Sequence, residues 1–192
     1  MKRCFLFDLG FHHGEGLRYL WDQYQVDENW AVFAFEPNTT CRQQLLRANA
    51  LMMPRVTAMP FAVHTAAGPA AFQREARGPG DIEDGQGSHL AGLDFHLDAQ
   101  GGGQEEVWKV NFPLFLRALI PSAREGAFVV VKMDIEGAEY DILRAMLADG
   151  SIDLVDVLHV EFHHRLMPSE SEETTEQLRS ELLARVKFVE HW

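Results

Sequence analysis

Cysteine is scarce in this chain, with Cys4 and Cys41 the only two. Cys4 opens an apolar strand and Cys41 lies on an apolar helical stripe. Both read as buried free thiols, and a disulfide-stapled scaffold is excluded. No apolar run approaches the ~20 residues that a bilayer crossing needs. The opening MKRCFLFDLG enters a strand directly, without the apolar region of a signal peptide. Basic residues are in deficit, 17 against 29 acidic ones, for a formal net charge of -12. Nucleic acids and anionic membranes bind basic faces, so neither is expected as a partner, and a small neutral or cationic ligand suits the field better. Internal repeats are absent too. The expectation is one cytoplasmic domain spanning residues 1–192, long enough to bury a substantial core.

The most informative segment is AFVVVKMDIEGAEY, residues 127–140. Its apolar run reads as a strand buried on both faces, as in the middle of a parallel sheet. Lys132, Asp134, Glu136 and Glu139 follow at once, with Gly137 as a break before a helical pattern. Open α/β sheets place ligands and chemistry at the carboxyl ends of such strands.

Strand and helix patterns alternate around this segment. Residues 4–9 read as a first strand, followed by a helix that places Leu17, Leu20, Trp21 and Tyr24 on one stripe. Residues 31–35 make a second strand. Pro37, the cap Asn38 and a helix carrying Cys41, Leu45 and Ala48 follow it. Residues 56–63 read as a third strand, 111–120 as a helix, 154–162 as a fifth strand, and 186–192 as the start of a last one. Leu178, Leu182 and Val186 mark a late helix. This alternation predicts an α/β three-layer sandwich with a mostly parallel central sheet and right-handed crossovers. Residues 65–106 break the rhythm with a Gly- and acid-rich insertion. Residues 71–74 and 107–110 bracket it as two short strands. It is either a passive surface loop or a lid over the site.

The first strand ends in Asp8-Leu9-Gly10-Phe11-His12-His13-Gly14, where glycines permit a tight turn and close approach to a ligand. The next helix directs its positive amino end to the same place. The second strand ends in Glu36-Pro37, and a carboxylate there can accept hydrogen bonds from both hydroxyls of a ribose. Together these point to an adenosine-containing cofactor. A dinucleotide site would carry GxGxxG, whereas here three residues separate Gly10 from Gly14. Asp8 would repel phosphates and suit a sulfonium. S-adenosylmethionine is therefore expected ahead of NAD.

Asp8-x-Gly10-x-x-x-Gly14, AFEPN at 34–38, VKMDIEGAEYDIL at 131–143 and HVEFH at 159–163 together resemble the ordered motifs of FkbM-type methyltransferases. That resemblance covers most of the chain. It implies a class I (Rossmann-like) S-adenosylmethionine-dependent fold that methylates hydroxyl groups of sugars and other small molecules. It also implies that Gly10 and Gly14 line the methionine part of the cofactor, that Glu36 holds the ribose, and that Asp134 stands beside the reacting centre. Asp8, His12, Pro37 and Ser88 complete the expected cofactor set. The chain departs from the family's usual Ala-Asn by carrying Phe11-His12 after the first glycine. The family's final antiparallel hairpin has no counterpart, so the sheet edge is expected to be left incomplete or completed by a partner.

His159, Glu161 and His163 alternate and would share one face if the fifth strand stayed regular to His163. With Asp134 and Glu136 they could hold a divalent metal that positions a substrate hydroxyl. Alternatively Asp134, His163 or Glu161 could take the hydroxyl proton as a general base. His159 could equally be a satisfied core residue. Two rival functions remain, a catalytically silent binding domain of the same fold and an NAD-dependent oxidoreductase. The glycine spacing and the lack of a Tyr-x-x-x-Lys pair weigh against the second.

Overall fold

A computed structural model describes residues 3–39, 41, 56–75, 87–93, 103–120 and 126–190. The central sheet has six strands in the order β10-β9-β8-β1-β2-β3. These are β1 (Cys4–Leu9), β2 (Trp30–Phe35), β3 (Val56–Met59), β8 (Phe128–Met133), β9 (Val157–Val160) and β10 (Lys187–Glu190). Every pairing among them is parallel. Parallel sheets are covered on both faces, and alternation within β1 shows how. Phe5, Phe7 and Leu9 face a core shared with α2 (Phe112–Leu119), α3 (Glu139–Asp149) and α4 (Glu172–Leu183). Leu6 faces the other way, onto Leu17 and Leu20 of α1 (Glu15–Gln23). The expected three layers follow from this two-sided burial.

Local chemistry sets the helix ends. Gly14 caps α1 in the left-handed region. The Asn111 side chain accepts from Leu114 N and caps α2, with a proline in the first turn. Ser171 and Thr174 form a reciprocal capping box on α4, which satisfies donors that a helix start otherwise leaves open.

The third strand differs from its sequence reading. Residues 56–63 do not form one strand, because Pro60 has no N–H to continue a ladder. β3 ends at Met59, and β4 (Ala62–His64) joins a second sheet instead. That sheet has the order β4-β7-β5-β6, with β5 (Gly68–Gln73), β6 (His89–Leu90) and β7 (Gln104–Asn111). The bracketing strands of the insertion are therefore present and pair antiparallel as β5 and β7. Phe72, Leu90 and Val107 form a small core with Ala62 beneath them. Residues 76–86 and 94–102 of the insertion lie outside the described residues, as do Leu45 and Ala48 of the expected second helix. Cys4 is half-buried rather than buried, Cys41 is buried, and both are free thiols.

Candidate functional site

Ladder hydrogen bonds continue past the strand ends and align their carboxyl termini. Gly10 N and Phe11 N donate to Phe35 O at 3.1 and 3.2 Å, and Asp134 N donates to Leu9 O at 3.1 Å. Glu36 N donates to Met59 O at 3.1 Å and Glu161 N to Met133 O at 3.0 Å. Gly10, Glu36, Asp134 and Glu161 are thus consecutive stations along one sheet edge. Gly10 has φ +77°, and a Cβ there would meet the Asp134 carbonyl oxygen at 1.7 Å. Only glycine lets these two strand ends close on each other.

A cavity of about 300 Å³ opens at this edge. Its polar wall carries Glu36, Lys132, Asp134, Glu136 and Glu161, and its apolar wall includes Phe11, Phe61, Val63, Phe72 and Leu90. Phe72, Ser88 and Leu90 come from the insertion, so that segment does reach the site. Glu36 is held by two backbone amides, His12 N on Oε2 at 2.9 Å and Asn38 N on Oε1 at 2.7 Å. Each oxygen keeps acceptor capacity for one more donor. His12 pays for this contact with a positive φ of 46°. Burial pushes Glu36 up to about 7, against the two amides and the Lys132 charge.

Lys132 closes the cavity from below. Its Nζ donates to Gly10 O at 2.6 Å and stands 3.1 Å from Asp8 Oδ1 and 3.6 Å from Asp134 Oδ2. Asp8 and Lys132 are register partners on β1 and β8. Burial alone would push the ammonium down, but Asp8, then Asp134 and Glu36, hold it protonated. One buried cation therefore ties the glycine turn to two strand ends.

A second cluster stands beside it. Glu139, fully buried at the start of α3, accepts from Ile135 N at 2.7 Å and Gly137 N at 2.8 Å. It also pairs with His163 Nδ1 at 3.1 Å. His163 Nε2 lies 3.4 Å from Glu136 Oε2 and 3.8 Å from Asp134 Oδ1. Burial would push His163 down, yet Glu139, Glu136 and Asp134 together drive it up to about 10. Burial pushes Glu136 up to about 8 against the His163 charge, with Asp134, Glu139 and Glu161 adding to the rise. Glu136 is held at φ 53° just before Gly137 at φ 98°, and a non-glycine residue in that region carries strain.

Gly10, His12, Glu36, Pro37, Ser88, Asp134, Glu136 and Glu161 all line the cavity. Asp8, Gly14 and His163 contribute none of its wall. Asp8 is buried beneath the turn with Lys132 against it, so it does not present the bare negative charge inferred from the sequence. The shared face expected for His159, Glu161 and His163 does not form, because β9 ends at Val160 and the chain turns. His159 instead projects toward α1, with Nε2 2.8 Å from the Tyr24 hydroxyl, and burial pushes it down to about 4. It is a core residue held through Nε2, while its buried Nδ1 has no hydrogen-bond partner among the described residues. Lys132 and Glu139, which the sequence placed in the charge cluster without assigning them a role, are the groups that organise it. A lysine inside a fully buried strand was the available signal for the first.

Six parallel strands with helices on both faces, and a glycine turn, an acid and a charged cluster at consecutive carboxyl ends, define a Rossmann-like α/β ligand-binding domain. The chain belongs to the methyltransferase FkbM domain family, whose model matches residues 8–189. The fold agrees with a crystal structure of methyltransferase FkbM from Methylobacillus flagellatus KT, at a TM-score of 0.50 and 17% sequence identity. That superposition covers 96% of this chain and 37% of the other, so this chain spans little more than a third of that protein's length. Among curated proteins, none matches. No described helix is long and apolar enough to cross a membrane.

Proposed function

We infer that the chain is an S-adenosylmethionine-dependent methyltransferase acting on a hydroxyl group of a small molecule. The observation that carries this reading is Glu36. It faces the cavity from the end of the second strand, with each carboxylate oxygen fixed by one backbone amide and free to accept one more hydrogen bond. That is the acceptor arrangement a ribose diol requires, and the Phe61, Phe72 and Leu90 wall suits a flat aromatic base. The cofactor would supply an electrophilic methyl group on a sulfonium. Gly10 and Asp134 would flank its amino-acid end, with Glu161 on the same wall.

An in-line displacement needs mainly alignment, which the walls of a preorganised cavity supply. The acceptor hydroxyl loses its proton as the new C–O bond forms and the C–S bond breaks. Asp134 and Glu161 are the carboxylates on the wall that can take that proton. His163 already holds a proton between three carboxylates, so it orients Asp134 and Glu136 and leaves the base role to others. The test is transfer of a labelled methyl group from S-adenosylmethionine to pooled small-molecule fractions. Label should enter a neutral or cationic hydroxylated compound, and Asp134→Asn should slow its entry at saturating donor. A chain that binds S-adenosylhomocysteine but labels no fraction would be a binding domain.

A further inference from the structure

Four acids and two cations form one connected network around His163. Asp8 and Asp134 pair with Lys132, and Asp134, Glu136 and Glu139 pair with His163. Lys132 engages Asp134 through Oδ2, which leaves Oδ1 directed to His163. Asp134, Glu136 and His163 each offer one ligand atom, and these atoms all lie within 4.8 Å of one another. The 3.4 and 3.8 Å separations from His163 Nε2 resemble those between donors that share one cation at about 2.0–2.2 Å. The outer contacts fit as well. Glu139 holds His163 by Nδ1, fixing the ring with Nε2 turned to the two acids, and carboxylate support of that kind is the usual second layer of a metal-bound histidine. Glu136 reaches the cluster from a strained backbone, and such strain concentrates at ligand-holding positions.

We propose that Asp134 Oδ1, Glu136 Oε2 and His163 Nε2 form a divalent-cation site at the cavity wall, with Glu139 as its outer-shell support. Two carboxylates and one imidazole suit a first-row ion of the Mn2+ type, with water completing its coordination. Nε2 and both carboxylates must be unprotonated to ligate the ion, so protons leave as it enters. The side of the ion facing the cavity is where an acceptor oxygen would be held. That consequence rests on the methyl-transfer reading, whereas the binding itself does not.

The test uses the whole chain, stripped with a chelator and titrated with Mn2+ alone, with free Mn2+ followed by electron paramagnetic resonance. One ion should bind per chain, and calorimetry in buffers of different ionisation enthalpy should report proton release. Glu136→Gln and His163→Asn should each abolish saturable binding. Glu139→Gln should weaken it by about 10–100-fold, the usual effect of losing outer-shell support, while Glu36→Ala should leave it intact. Circular dichroism identifies any variant that fails to fold, and the remaining variants then decide. No saturable binding at millimolar Mn2+, or binding that survives both ligand substitutions, overturns the proposal. S-adenosylhomocysteine binding is measured in the same samples without metal, so loss of one activity with retention of the other shows which reading failed.

Discussion

The carbonyl oxygen of Asp134 lies 1.7 Å from the point where a Cβ on Gly10 would stand. The two strand ends that frame the cavity are therefore in contact through a residue that cannot acquire a side chain. Glycine here serves the approach of one strand end to another as well as the approach of a ligand.

Gly10→Ala should destabilise the fold and distort the cavity. The φ of +77° costs an L-residue about 1–2 kcal/mol, and overpacking a tight contact adds roughly 1–3 kcal/mol. Denaturant unfolding of the variant should show a combined loss within the sum of those ranges, and a wild-type midpoint would show that the contact relaxes freely.

Lys132→Met should be more damaging, because it leaves Asp8 buried without a counter-charge. Removing one partner of a buried pair costs about 3–5 kcal/mol. Asp8→Asn combined with Lys132→Met should recover part of that loss. A double-mutant cycle with no coupling between the two positions would exclude the pairing as the source of the effect.

The strands that carry the site were legible because apolar runs in parallel sheets are continuous and end in charge, as in residues 128–133. Glu36 was legible for the same reason. The switch from β3 to β4 was not, since residues 56–63 are apolar almost throughout and only Pro60 marks the change of sheet. The Asp8–Lys132 pair joins residues 124 positions apart, and no local pattern encodes such a contact. Of the two readings open for His159, the shared face with His163 assumed a regular strand, whereas the chain turns after Val160 and the histidine finds its partner in Tyr24 on the opposite layer.

Glu36 should make stability fall with rising pH. Its folded-state value of about 7 lies above the ordinary carboxylate range of an unfolded chain, so the folded state binds the proton more tightly. The advantage is fully present below about pH 4.5 and is lost as pH rises through 7. Relative to Glu36→Gln, the ligand-free wild type should lose a few kcal/mol across that window, at about 1.4 kcal/mol per pH unit. Parallel stability curves for the two proteins would show that Glu36 ionises normally.

The account rests most heavily on Glu36 as the ribose anchor, and calorimetric titration with S-adenosylhomocysteine tests it directly. The chain should bind one molecule, with affinity rising as pH passes through 7 and the carboxylate ionises, and NAD should not bind. Glu36→Ala should weaken binding by about 1.5–3 kcal/mol, the range for hydrogen bonds to a charged group. Unchanged affinity in a folded Glu36→Ala variant, or preference for NAD, would contradict the account.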